Sequence, residues 1–128
     1  MKHTQTVLFL LAFLNLFSMS RISADPPVLP ATGDAAIRQR MGERATVEGV
    51  VTNIFWVRNQ TLLITFQEER GGFVGVSFAR HRDELNAAFG GDIVQHLRGK
   101  KIQITGEISE HEYRPQIVVR SPDQIKLR

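Results

Sequence analysis

A chain of 128 residues without a cysteine can build one domain with its own core, but it cannot close a disulfide, run thiol chemistry or hold zinc through thiolates. Sixteen Lys and Arg against 13 Asp and Glu give a formal net charge of +3 at pH 7. So small an excess supplies no global field to draw in nucleic acid, and any polyanion has to be met by a local patch.

The first 24 residues read as a secretory signal peptide. Lys2 and His3 precede an apolar run from Val7 to Met19, broken only by Asn15 and Ser18. Ser23-Ala24 then stands before Asp25-Pro26-Pro27, which makes Ala24 the expected cleavage position. The run is short for a membrane span, which needs about 20 apolar residues. Retention as an amino-terminal anchor is the competing reading. Cleavage removes Lys2 and Arg21 from the 16 basic residues, so 14 remain against 13 acidic ones and the mature chain is close to neutral. The expected location is outside the cytoplasm, in a periplasm or the extracellular space.

Residues 25–41 read as a linker followed by a short helix. Pro26, Pro27 and Pro30 favour extended chain, and Asp34 to Met41 could turn once or twice, with Asp34 as N-cap and Gly42 as stop. From residue 42 to 128 the pattern is mainly β. Arg44 to Val57 is rich in β-branched and aromatic residues, with Ala45, Val47 and Val51 on one side and Gly49 as the expected bend. Arg58-Asn59-Gln60 is a polar turn. Thr61 to Gln67 places Leu62, Ile64 and Phe66 inward. Glu68 to Gly72 is a hairpin loop with two glycines available for positive φ. In the third strand, Phe73 to Ala79, Val74, Val76 and Phe78 are expected inward and Phe73, Gly75 and Ser77 outward.

Alternation stops after Arg80. Asp83 to Phe89 reads as a helix ended by Gly90-Gly91, and Asp92 as the cap of a second one that packs Ile93, Val94 and Leu97. Lys101 to Ile108 then alternates, with Ile102, Ile104 and Ile108 on one side. Ile117 and Val119 repeat the pattern after a polar break at Glu110–Arg114, and Ser121-Pro122-Asp123 turns the chain toward Ile125 and Leu127. Three strands, a helix and two strands is the order of the OB-fold, a five-stranded Greek-key barrel with a helix between strands three and four. A small SH3-like barrel is the alternative, though such barrels rarely carry a helix at that point.

Particular residues carry a family resemblance as well. Gly49-Val50-Val51, Leu97-Arg98-Gly99-Lys100, Ile104-Thr105-Gly106, Tyr113-Arg114-Pro115-Gln116-Ile117 and Pro122-Asp123-Gln124-Ile125 resemble the bacterial exported OB-fold domains of the nucleic-acid-binding type. Those domains occur alone or attached to secreted nucleases. The resemblance spans residues 42–127 and implies a nucleic-acid-binding type of fold; fold alone does not deliver a ligand.

OB-folds bind across strands two and three, between the loop joining strands one and two and the loop joining four and five. On this chain the expected binding residues are Trp56, Arg58, Thr65, Phe73, Tyr113 and Arg114. Trp56, Phe73 and Tyr113 are the expected base stackers; Arg58, Arg114 and Arg120 are the expected phosphate contacts. The competing reading is that Trp56 and Tyr113 close the barrel rims. Asn59, Thr61, Leu63, Gln67, Ser77 and His111 complete the expected face. Glu68, Glu69, Glu110 and Glu112 lie in the neighbouring loops and oppose a polyanion.

No catalytic constellation is visible. No serine stands in a Gly-x-Ser-x-Gly setting, no glycine-rich phosphate loop occurs, and His81, His96 and His111 lack metal-ligand spacing. The expectation is a non-enzymatic module without metal or cofactor. Its partner would be single-stranded DNA or RNA, or alternatively an exported protein or oligosaccharide in the same groove.

Overall fold

The computed structural model describes residues 25–68 and 71–128. The expected signal peptide, and Glu69 and Arg70 of the expected hairpin loop, lie outside those residues. Strand β1 (Val28–Pro30) runs parallel to β2 (Arg44–Val50), with Val28 beside Thr46 and Pro30 beside Glu48. Thr46 N donates to Pro27 O at 2.8 Å and Ala31 N to Glu48 O at 2.7 Å. The linker reading of this stretch is therefore corrected: prolines keep the chain extended, and extended chain at a free sheet edge is added to the sheet. Helix α1 (Asp34–Arg38) follows and buries Ile37, but it is shorter than the expected Asp34 to Met41, and Gly33 rather than Asp34 is its N-cap.

β2 continues into β3 (Asn53–Val57), and the two are one strand bent at Val51–Thr52. Val51 N still donates to Lys100 O, whereas Thr52 N donates to Thr65 O, so the chain changes partner between adjacent residues. The bend was expected at Gly49. That glycine instead stays in ladder register opposite Ile102. A Cβ there would sit 2.8 Å from Ala31 Cβ and 3.0 Å from a Phe66 ring carbon, so Gly49 serves close packing and not curvature.

β4 (Thr61–Thr65) pairs antiparallel with β3 and with β5 (Val74–Phe78). A 3₁₀ turn at Ala79–His81 leads to α2 (Arg82–Ala88) and α3 (Ile93–Leu97). Asp92 caps α3, accepting from Val94 N at 3.0 Å and Gln95 N at 3.3 Å. Leu85, Phe89, Ile93 and Leu97 are buried. β6 (Lys101–His111) pairs with β2 over its first seven residues and with β7 (Arg114–Val118) over its last four. β7 lies parallel to β5, with Val76 beside Val118. Ser121 and Gln124 form a capping box around Pro122–Gln124, and β8 (Ile125–Leu127) returns to β6.

The sheet order is β1-β2-β6-β7-β5-β4-β3, with β8 on β6. Its barrel ends, β2 and β3, are consecutive lengths of one strand, so the sheet curls round and meets itself through the chain. Counting that bent strand once leaves five barrel strands in the order one-two-three-five-four, with the parallel three-five pair and the intervening helix of an OB-fold. β1 and β8 are short additions at the edges.

The third barrel strand faces the opposite way from expectation. Phe73 is 1% exposed and stacks at 5.8 Å on Phe66 within the core. At Gly75 a Cβ would lie 2.7 Å from Ile104 Cδ1. The Ser77 hydroxyl is fully buried and donates to Val119 O at 2.6 Å. Val74, Val76 and Phe78 point to the outer face. Both faces of this strand are apolar enough to be covered, so alternation alone cannot say which is the core side. Small residues at 75 and 77 admit the long side chains of β4 and β6.

Candidate binding groove

The outer side of β4, β5 and β7 forms a groove of about 420 Å³. Its floor is Leu63 from β4, and Val74, Val76 and Phe78 from β5. Val57 and Thr61 wall one side, at the base of the β3–β4 turn. His111, Arg114 and Gln116 wall the other, at the base of the β6–β7 turn. Arg114 also borders an adjoining hollow of about 550 Å³ lined by Thr52, Phe55, Thr65 and Gln67. The two hollows form one tract across the sheet face.

Both flanking turns are conformationally costly. Arg58 and Asn59 have φ of 52° and 59°, and Glu112 and Tyr113 have φ of 51° and 65°. Positive φ at both central residues is the type I′ geometry that fits the twist of a hairpin, and glycine or asparagine usually occupies it. For other residues it costs about 1–2 kcal/mol each. Only Asn59 of these four tolerates it readily. The second turn is held from outside. The Arg38 guanidinium on α1 donates to Tyr113 O at 2.9 Å, while its Nε donates to Asp34 at 2.9 Å.

Tyr113 is 86% exposed and stands at the turn tip. Arg114 is half-buried, its Nε donating to Gly72 O at 2.6 Å, which ties the β6–β7 hairpin to the β4–β5 loop. Arg58 is exposed on the opposite turn. The Arg80 guanidinium lies 5.4 Å from the centre of the Phe78 ring. Carboxylates stand near the same walls: Glu112 beside His111 at 3.8 Å, and Glu68 at the edge of the second hollow.

Of the six expected binding residues, Thr65, Arg114, Arg58 and Tyr113 stand on or beside this face. Phe73 does not; it is a core residue, and its expected role as an exposed stacker is corrected. Trp56 does not line the groove either. It pairs with buried Leu62, packs against the core half-buried, and lies under the Arg82 guanidinium at 4.7 Å. Besides Tyr113 at the turn tip, Phe55 and Phe78 bring aromatic rings to the groove side. The sequence did contain a signal for them. Phe55 and Val57 alternate with buried Ile54, and Phe78 shares its side of β5 with Val74 and Val76. Among the described residues, no three His, Asp or Glu side chains gather as a metal site would require.

No protein-family model matches this chain, and no curated protein does. Solved structures similar to it include two synthetase chains. One, from Leishmania major Friedlin and assigned as an aspartyl-tRNA synthetase, is 4% identical with a TM-score of 0.48 over 78% of this chain. The other, the aspartyl-tRNA synthetase of Entamoeba histolytica, is 11% identical with a TM-score of 0.46 over 82%. The matches cover 20% and 25% of those two proteins.

Proposed function

We propose that this chain is an exported OB-fold binding module, without catalysis of its own, that holds single-stranded nucleic acid weakly and with little sequence preference. The observation that supports this most is the groove across β4, β5 and β7, bounded by two raised turns with arginines on both sides. Phe55 and Phe78 offer ring faces to bases and Tyr113 offers a third from the tip; stacking of this kind contributes about 1–3 kcal/mol per base. Arg58, Arg80 and Arg114 are placed to meet phosphates, and guanidinium suits that task through its paired donors. The aliphatic floor, with Glu68 and Glu112 at the walls, favours a second reading in which an apolar segment of an exported protein occupies the same groove.

Titration of the protein with fluorescein-labelled oligothymidylate and oligouridylate separates these readings. The three contacts of the groove itself predict a slope of log K against log salt of about −2. The expected result is micromolar-class binding at low salt that falls away by about 0.2 M, in line with that slope. Absence of binding at low salt overturns the nucleic-acid reading and leaves the protein-segment one.

A further inference from the structure

The groove does not end at β7. Gln116, on its far wall, donates from Nε2 to Ser109 Oγ on β6 at 3.4 Å. Beyond that pair lies another hollow of about 410 Å³, lined by Arg44, Glu107, Ser109, Val118, Arg120 and Gln124. Strand register places it on the same outer face. Val76 is opposite Val118, Ser109 opposite Gln116, and Arg44 opposite Glu107. A single surface therefore runs from β4 over β5, β7 and β6 to β2.

Two guanidinium groups stand in this hollow, and neither forms an ion pair with a carboxylate among the described residues. The segment that bears Arg120 is fixed. Gln124 Oε1 accepts from Arg120 N at 2.7 Å and Ser121 N at 3.2 Å, while its Nε2 donates to Thr105 O and Val118 O, both at 3.0 Å. Gln124 thus uses its side-chain amide to position Arg120 and has little left for a ligand. Glu107 is the one carboxylate lining the hollow, and it opposes an anion there.

We propose that Arg44 and Arg120 form a second phosphate subsite, which receives the backbone of the same strand after it has crossed the groove. This rests on the single-strand reading above. Four inter-strand steps from β4 to β2 span about 19 Å at about 4.8 Å each. At about 3.4 Å per stacked nucleotide that is five or six nucleotides. Site sizes of about 4–16 nucleotides per OB-fold accommodate such a footprint. The subsite lies on the β6–β2 half of the barrel, away from the strands that form the groove floor.

A length series tests it. Oligothymidylates of three and twelve nucleotides are titrated against the wild type and the R44A/R120A variant, with thermal melting as the check on folding. Both arginines are exposed, so the variant is expected to melt with the wild type. The 3-mer should bind both proteins alike, whereas the 12-mer should bind the variant about ten-fold more weakly, with its salt slope shallower by about 1.4, or about 0.7 for each lost contact. Glu107→Gln should tighten the 12-mer and leave the 3-mer unchanged. An equal loss at both lengths, or none at the longer one, overturns the subsite while leaving the groove in place. Failure of both oligonucleotides to bind the wild type overturns the groove reading and the subsite together.

Discussion

At the scale of the residue, Trp56 and Phe78 exchange the roles that aromaticity and position suggest. Trp56 follows the pattern of an exposed aromatic at a strand end, yet register with Leu62 turns it toward the barrel interior, where Arg82 covers it. Phe78 reads as one more inward residue of an apolar strand, yet it lies on the groove floor with Arg80 against it. Truncation should separate them. Trp56→Ala is expected to lower stability by about 2–3 kcal/mol in denaturant titration, through lost packing, with oligonucleotide affinity little changed. Phe78→Ala should weaken binding at least five-fold with a smaller loss of stability. The opposite pattern would place the ligand at the α2 end of the barrel. Inward residues of β2 and β6 were legible because a polar residue follows each inward apolar one, as in Val47-Glu48 and Ile102-Gln103. Those of β5 were not, because Gly75 and Ser77 do not read as core residues by type, yet Gly75 has no room for a Cβ beside Ile104 and Ser77 is fully buried.

The elements carry their own account. Strand boundaries, both helices after β5 and the Ser121–Gln124 turn follow from caps, glycines and alternation, and so were open to reading in the sequence. The position of the bend in the first barrel strand was not, since it depends on which neighbour Val51 and Thr52 bond to, a tertiary choice. Nor was the incorporation of β1, whose few apolar residues carry no period. The β6–β7 hairpin is the element where geometry departs furthest from preference. Placing Glu112 and Tyr113 in the left-handed region spends stability on holding Tyr113 outward beside Arg114. Replacement of Glu112-Tyr113 by Asn-Gly should relax the turn and raise unfolding stability by about 1–2 kcal/mol. The same change should weaken oligonucleotide binding. Tighter binding in that variant would show that Tyr113 obstructs the groove and does not build it.

For the molecule as a whole, a formal net charge of only +3 means that recognition depends on where charges stand. The outer face shows this: arginines at both groove walls and in the hollow beyond, with carboxylates between them. Proposed export makes a direct prediction. Protein recovered from outside the cytoplasm should begin at Asp25 by intact mass, and recovery of the full-length chain would point instead to a retained anchor. The change of partner at Val51–Thr52 also has a consequence in time. β3, β4 and β5 pair within a short length of chain, Asn53 to Phe78, whereas β2 must find β6 across the distance from Arg44 to Glu107. Loop-closure entropy penalises the second search more than the first. The meander should therefore be formed in the folding transition state, and the β2–β6 seam should zip afterwards. Both Leu62 and Val47 are fully buried, which makes them matched probes. Leu62→Ala is expected to slow refolding in stopped-flow denaturant jumps, while Val47→Ala mainly speeds unfolding. If Val47→Ala slows refolding instead, the seam is the nucleus. On the expected order, the same bent strand is the first part of the barrel to fold at one end and the last at the other.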